Sequence, residues 1–442
     1  MPVTQTSSRF DTLAPSPEWA FNAAGRSETN YITHGYHRYP AKFIPNLVQK
    51  LIDDYTEVGD MVVDPFGGCG TTLVEAKVRG RRSHGFDINP VAKLITQTKI
   101  APIKPKSLEK TLAKFQKDYE ATKAIAPEIH FERLRYWFGE TELAELNRIY
   151  VCIKKIKNQQ IRRFYLCAFS HILKNSSRWL MKSIKPTVDK EKDPTAPITM
   201  FAQHLRFMTK RNEQFYDMLA EKGFLKVSAK MRIANSTKHL PLTDESVDLI
   251  VTSPPYVTSY EYADLHQLSL LWFGNDKRLF KKWGNHMQDF NDFRKKFIGT
   301  SIRKNTHAED VSSELGTSIV EALSQKDMGT ARSAAHYFSD MNKSFTEMYR
   351  LLKPGKHACI IIGNTEIQGV SVSNAEVASE QMKKIGFIPV TVIKREVANK
   401  MITPWRDSQD GRFTGLTNPN KKRAYQYEYI VVMQKPASVQ AS

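Results

Sequence analysis

Ser253-Pro254-Pro255-Tyr256 gathers a hydroxyl, an acceptor carbonyl and a flat aromatic face within one short turn. Adjacent prolines fix φ and lack a donor N–H, so the turn is rigid and its carbonyls stay open to accept. The Ser253 hydroxyl and the Pro254 carbonyl can both accept from one –NH2 group, while Tyr256 offers a face for stacking. That set suits an exocyclic amine on a base turned out of a duplex. A second stretch, Asp64-Pro65-Phe66-Gly67-Gly68-Cys69-Gly70-Thr71, carries three glycines behind an acid. Glycines at such a point let the backbone come close to a ligand. Asp87 follows seventeen residues after Gly70, where a carboxylate can accept from ribose hydroxyls.

The elements that position these turns are legible as apolar runs. Seven runs (61–63, 83–86, 230–234, 247–251, 358–362, 387–393 and 429–433) alternate with helical stretches. That alternation predicts an α/β fold with a mostly parallel seven-strand sheet. The two turns then lie at the carboxyl ends of the first and fourth strands. Ligand crevices of open α/β sheets lie at such strand ends. Between 105 and 225 the period changes to a helical one. Leu143, Leu146, Ile149, Tyr150, Ile153 and Ile156 form one stripe, and Phe164, Phe169, Ile172 and Leu173 a second. A segment this long between two strands is an inserted helical domain, not a crossover connection. The expected organisation is an N-terminal arm over 1–32, a discontinuous catalytic domain over 33–104 and 226–435, the insertion over 105–225, and a tail over 436–442.

The glycine turn does not fit the commonest nucleotide sites. A dinucleotide fingerprint spaces its glycines G-x-G-x-x-G, and a P-loop continues into Gly-Lys-Ser/Thr; neither pattern occurs here. Asp-Pro-Phe-x-Gly-x-Gly-Thr instead resembles the first motif of the S-adenosylmethionine-dependent DNA amino-methyltransferases. Ser253-Pro254-Pro255-Tyr256 resembles that family's second signature. His37-Arg38-Tyr39-Pro40-Ala41-Lys42-Phe43 is similar to its segment before the first strand. The resemblance covers about 33–100 and 226–433 and implies a class I, Rossmann-like methyltransferase. It implies that Asp64, Pro65, Phe66, Gly67, Gly68, Gly70 and Thr71, with Tyr39, Pro40, Ala41, Lys42 and Phe43, hold the methionine part of S-adenosylmethionine. It also implies that Asp87 holds the ribose, and that Asn235 and Ser236 contact the adenine. Ser253, Pro254, Pro255 and Tyr256 are the implied catalytic residues. The Ser form of the second signature points to N4 of cytosine, with N6 of adenine as the alternative. Methylation of RNA guanine at N2 and a silent DNA-binding regulator are further alternatives. A carbon-5 cytosine enzyme needs a Cys nucleophile in a Pro-Cys turn, and no Pro-Cys dipeptide occurs.

Charge points to the same partner. Lys and Arg number 65 against 46 Asp and Glu, a net +19. The excess is concentrated in three blocks, 148–185, 276–304 and 394–423, the first with ten basic residues and no acidic one. Separated cationic blocks suit a phosphate backbone. Lys154, Lys155, Arg162, Arg163, Arg178, Arg294, Lys295 and Lys296 are the candidate contacts to double-stranded DNA. A restriction–modification setting would add a cognate restriction endonuclease as partner. No apolar run reaches the ~18–20 residues of a membrane span. Four cysteines without a CxxC pair fit a reducing, cytoplasmic compartment. The twelve histidines show no metal-ligand spacing, so no metal is expected.

Overall fold

The computed structural model describes residues 9–39, 42–127, 132–183, 185–257, 262–274, 290–300, 310–397, 405–407, 414–423 and 426–437. Pro40 and Ala41 lie outside these residues, as does most of the second basic block. The main sheet holds β1 (Met61–Asp64), β2 (Arg82–Asp87), β3 (Ala229–Ile233), β4 (Val247–Thr252), β5 (Leu352–Ile362), β6 (Ile388–Glu396) and β7 (Tyr427–Gln434). These are the seven expected strands. Their order is β3-β2-β1-β4-β5-β7-β6. The first five are parallel, and β7 runs antiparallel to both of its neighbours. The order reverses between β1 and β4, so the two turns of interest flank the switch point.

Side-chain alternation explains the layers. Val62, Leu249, Ile361 and Val432 join one core; their chain neighbours Val63, Ile250, Ile360 and Val431 join the other. Successive strand residues point to opposite faces, so both faces must be covered. On one face lies α1 (Pro45–Tyr55), which buries Leu47, Val48, Leu51 and Ile52. On the other lie α9 (Met328–Leu351) and α10 (Asn374–Ile385), which bury Met341, Phe345, Met348 and Met382. Each fully buried aliphatic side chain contributes about 1.5–3 kcal/mol of transfer free energy.

The insertion is helical as expected: α4 (Pro105–Glu120), α5 (Glu140–Lys154), α6 (Gln159–Ile172) and α7 (Pro197–Glu221). It is not, however, a lobe with a private core. Its Phe164, Phe169 and Trp179 share one cluster with Val91, Leu94 and Ile95 of α3 (Pro90–Lys99). Leu271, Trp272 and Phe273 of α8 (Gln267–Gly274) complete that cluster. The helices therefore extend the layer that covers the β2 side of the sheet.

The N-terminal arm is tied to the rest of the fold over its described part. The Ser16 N–H donates to the Lys394 carbonyl at 2.8 Å, and Arg395 Nε to the Trp19 carbonyl at 2.9 Å. The Phe10 N–H donates to Glu376 at 2.7 Å. Further along, the Tyr31 hydroxyl and His34 both bond the fully buried Glu75. An aperiodic sequence hid this strap, because its contacts are single hydrogen bonds to residues distant in the chain rather than a repeating apolar face.

Candidate active site

The floor of the site is built by Asp64 and Thr252, the last residues of adjacent strands. The Thr252 hydroxyl donates to Asp64 Oδ1 at 2.6 Å. Thr72, in the first turn of α2 (Thr71–Val78), donates to Asp64 Oδ2 at 2.9 Å, and the Phe66 N–H to Oδ1 at 3.1 Å. Asp64 is buried, and that burial pushes its carboxyl up to about 6, against the three hydrogen bonds. Its oxygens are committed to the protein. Asp64 is thus the clamp that joins the glycine turn to the residue preceding Ser253, not a contact to a ligand.

The glycine turn folds as its composition requires. Gly68 and Gly70 have φ of +45° and +76°, a region that side-chain-bearing residues rarely adopt. A Cβ on Gly70 would fall 2.4 Å from Thr96 Cγ2, and one on Gly68 3.3 Å from the Tyr39 hydroxyl. Thr96 donates to the Gly68 carbonyl at 2.8 Å, and Lys99 Nζ to the Cys69 carbonyl at 2.7 Å. Both donors come from α3, so that helix holds the turn from below. Tyr39 lies over the turn. Lys42 does not bring its ammonium to it: Nζ donates to Asn30 Oδ1 and the His34 carbonyl. Phe43 packs on the α1 side of the sheet.

Asp87 ends β2 at the rim of the turn. Its carboxylate accepts from the Gly68 N–H at 3.0 Å and the Asn89 N–H at 2.8 Å. It is only partly exposed. Desolvation chiefly, with nearby Asp64, pushes it up to about 6. Asn235 and Ser236 follow β3 but are largely occupied. Asn235 Oδ1 accepts from the Thr237 N–H and hydroxyl, and Ser236 is buried against Ser344. An adenine contact would leave those bonds in place and use the Asn235 amide N–H.

Ser253, Pro255 and Tyr256 are partly exposed at the end of β4, with Pro254 buried between them. Tyr256 stands over Gly363 at the end of β5, where a Cβ would lie 3.1 Å from the ring. Its hydroxyl donates to Glu428 Oε1 at 3.4 Å, and Arg395 holds Glu428 Oε2 at 3.0 Å. Sequence reasoning missed Thr252, Thr96, Lys99, Glu428 and Arg395. The one signal available was Thr252, a polar residue closing an otherwise apolar strand. Arg395 counted as part of a cationic block, yet it is buried in an ion pair.

His266 is buried. Its ring lies 4.9 Å from that of Tyr39, and its Nδ1 lies 3.1 Å from Asn89 Nδ2. His37, His171 and His204 continue the seam between the site and the insertion. Burial pushes His266 and His204 down to about 4 and His37 to about 3. Among the described residues no cluster could hold a metal ion, and no helix is long and apolar enough to cross a membrane.

A family model described as DNA methylase, the N6/N4 methyltransferase model, matches residues 7–98 and 247–440. The chain belongs to this DNA methylase family. Its methyl donor is S-adenosylmethionine, and the glycine cradle under Tyr39 with Asp87 at its rim fits that group. The type II methyltransferase M.MvaI of Kocuria varians is 26% identical over 412 residues, 85% of this chain and 86% of its own. M.BsoBI of Geobacillus stearothermophilus is 23% identical, covering 83% and 81%. M.AvaI of Nostoc sp. is 25% identical, covering 82% and 80%. Among solved structures, a TehB-like methyltransferase of Corynebacterium glutamicum covers 88% of this chain at 9% identity, with a TM-score of only 0.28. The family match omits 99–246, which contains the insertion and β3 of this DNA methylase.

The candidate phosphate contacts are scattered. Lys154 and Lys155 end α5, and Arg162 and Arg163 begin α6. Arg163 reaches toward Gln97 at the far end of α3, and Lys155 donates to Thr122. Ser170, near the other end of α6, bonds His37 and Ser269 beside the site. At 1.5 Å per residue, Arg163 lies about 10 Å along α6 from Ser170. These four cations therefore flank the connection between α5 and α6, at the opposite end of α6 from Ser170. Arg294 pairs with Asp264 at 3.2 Å and Lys295 with Asp292 at 2.8 Å, near Lys296. Arg178 is exposed, but the neighbouring Ser176 and Ser177 are fully buried.

Proposed function

We propose that this DNA methylase transfers a methyl group to N4 of cytosine in duplex DNA, on a base flipped out of the helix, at a defined site. The observation that carries the reading is the Ser253-Pro254-Pro255-Tyr256 turn. It stands at the switch point and is joined through Thr252 and Asp64 to the glycine turn. Serine in place of aspartate at the first position favours cytosine. The Ser253 hydroxyl and the Pro254 carbonyl accept the two N–H bonds of the amine and orient its lone pair toward the glycine cradle. Tyr256, steadied by Glu428, stacks on the ring. Most of the rate gain then comes from positioning and from fixed dipoles. Bound S-adenosylmethionine supplies the electrophilic methyl. Asp87 holds its ribose, and Tyr39 and the turn hold its methionine end. The proton leaves toward water after transfer, since a serine hydroxyl is too weak a base to take it. The similarity to type II methyltransferases supports a restriction–modification setting, in which a cognate restriction endonuclease would be the partner.

The deciding experiment is mass spectrometry of nucleosides from DNA incubated with the protein and isotopically labelled cofactor. N4-methylcytosine is the expected product. N6-methyladenine would overturn the base assignment and leave the site intact. No labelled base in DNA would overturn the reading as a whole.

A further inference from the structure

Three cations meet where α6 ends beside the N-terminal segment. Arg38 Nη1 donates to Asn175 Oδ1 at 2.8 Å. Lys174 Nζ donates to the Ser183 carbonyl at 2.7 Å and the Met181 carbonyl at 3.3 Å. Lys192 Nζ donates to the carbonyls of Lys174 at 2.8 Å and Trp179 at 3.0 Å. None of the three has an ion pair among the described residues; Asp189 is the one carboxylate whose field reaches Lys192. Some other cations of the insertion are matched by carboxylates: Lys114 with Asp118, Arg135 with Glu140, Arg148 with Glu145. Burial first, and then the Arg38 charge, depress Lys174; burial and Arg38 depress Lys192 against Asp189. Each lysine still has an unused N–H, and Arg38, which is exposed, has four.

The place of this cluster matters. Arg38 is the chain neighbour of Tyr39, which covers Gly68 of the cofactor turn. His37 binds Ser170 on α6, so the cluster is fixed to the edge of the site. We propose that Arg38, Lys174 and Lys192, with the Asn175 amide, form a phosphate site that grips the DNA backbone at the rim of the active site. The Arg38 guanidinium, the two ammonium groups and the Asn175 amide N–H are all donors, and Arg with Lys suits a tetrahedral oxyanion. The site rests on the reading of this chain as an enzyme that flips a base from duplex DNA. It shifts the backbone contact from the far end of the insertion to the near one. The two lysines also pin the 174–192 loop. That structural role alone predicts a change in stability and none in salt dependence.

The test is the salt dependence of binding to a fluorescent 30-base-pair duplex, measured by anisotropy across a KCl series. Each phosphate neutralised contributes roughly 0.9 to the slope of log K against log salt. Arg38→Gln is expected to flatten the slope by about 1 and to weaken binding several-fold near 0.1 M salt. Arg38→Lys should restore most of the slope. Lys192→Gln is the second arm, with a thermal melt to verify folding in each variant. A wild-type slope in folded Arg38→Gln and in folded Lys192→Gln would overturn the phosphate site. Wild-type protein that shows no salt-dependent duplex binding, or no labelled base in DNA, would instead overturn the functional reading beneath it.

Discussion

The sheet floor and the helical seam meet at Tyr39, and they handle buried charge in opposite ways. The floor holds two carboxylates, Asp64 wrapped in O–H and N–H donors and Asp87 in backbone N–H donors, each raised by burial. The seam holds His37, His171, His204 and His266, all held neutral by burial, with the Arg38 charge acting on the first three. Residues on the floor are fixed by the needs of backbone geometry: prolines, left-handed glycines and an acid that ties two strand ends. Residues on the seam are fixed by which end of a helix faces the floor. The first kind of constraint leaves a local pattern in the sequence, and the second does not.

The largest expected effect separates the floor's catalytic turn from its cofactor turn. Ser253→Ala and Tyr256→Ala should each lower methylation at least about 100-fold, the scale of a lost transition-state donor or positioning contact. Cofactor affinity, measured by calorimetry, should stay within a few-fold of wild type. Asp87→Ala should do the reverse and raise the dissociation constant for the cofactor. Near-wild-type turnover in either Ser253→Ala or Tyr256→Ala would remove those residues from the chemistry.

Acid should turn the two regions against each other. A histidine held near 4 when folded stays neutral while the unfolded chain takes up a proton at about 6.5. Its stabilisation is complete above 6.5 and is lost as pH falls from there toward 4. At pH 5 that loss is roughly 2 kcal/mol for each of His34, His204 and His266. Asp64 and Asp87 act the other way. Their folded carboxyls bind protons near 6, before the unfolded ones do, so acidification relieves a cost of roughly 1 kcal/mol each by pH 5. The histidines outweigh the acids, and the urea midpoint should fall steadily between pH 7 and pH 5. His266→Gln should flatten that fall. A midpoint that rises on acidification would show the seam is not held neutral.

The floor was legible because its chemistry is local. Each of the seven strands came from a short apolar run. The glycine and proline turns then fell at the ends of β1 and β4 with no further assumption. What failed to show were interactions between residues far apart in sequence. Thr252 and Asp64 are 188 residues apart, and Trp19 and Arg395 are 376. Arg395 and Lys394 read as surface charge, because charge alone does not reveal that a side chain turns inward to a carbonyl. The insertion's helices were visible in their apolar stripes, yet a stripe does not say which core it joins.

A smaller effect probes the clamp between the two turns. Thr252→Val keeps the side-chain shape and removes one donor from a buried carboxylate. A lost hydrogen bond of this kind costs about 1–3 kcal/mol. The loss should appear in the urea midpoint at pH 7.5 and be smaller at pH 5, where Asp64 carries its own proton. It should also lower turnover, because Thr252 precedes Ser253 directly. Equal losses at both pH values would mean that the carboxylate is not what Thr252 stabilises.

The smallest effect is expected where the sequence placed the most charge. Lys154, Lys155, Arg162 and Arg163 make up four of the ten cations in the first basic block. They lie at the end of the insertion remote from Ser170, and Arg162 and Arg163 are half-buried against carbonyl and amide partners. Replacing all four by glutamine removes four charges, against one in Arg38→Gln. A footprint that counted charge alone would therefore make the quadruple change the more damaging. A footprint set by distance from the catalytic turn makes it the milder, with a salt slope closer to wild type than that of Arg38→Gln. If the quadruple variant flattens the slope more, the duplex extends along the full length of α6 and the far end belongs to the binding face.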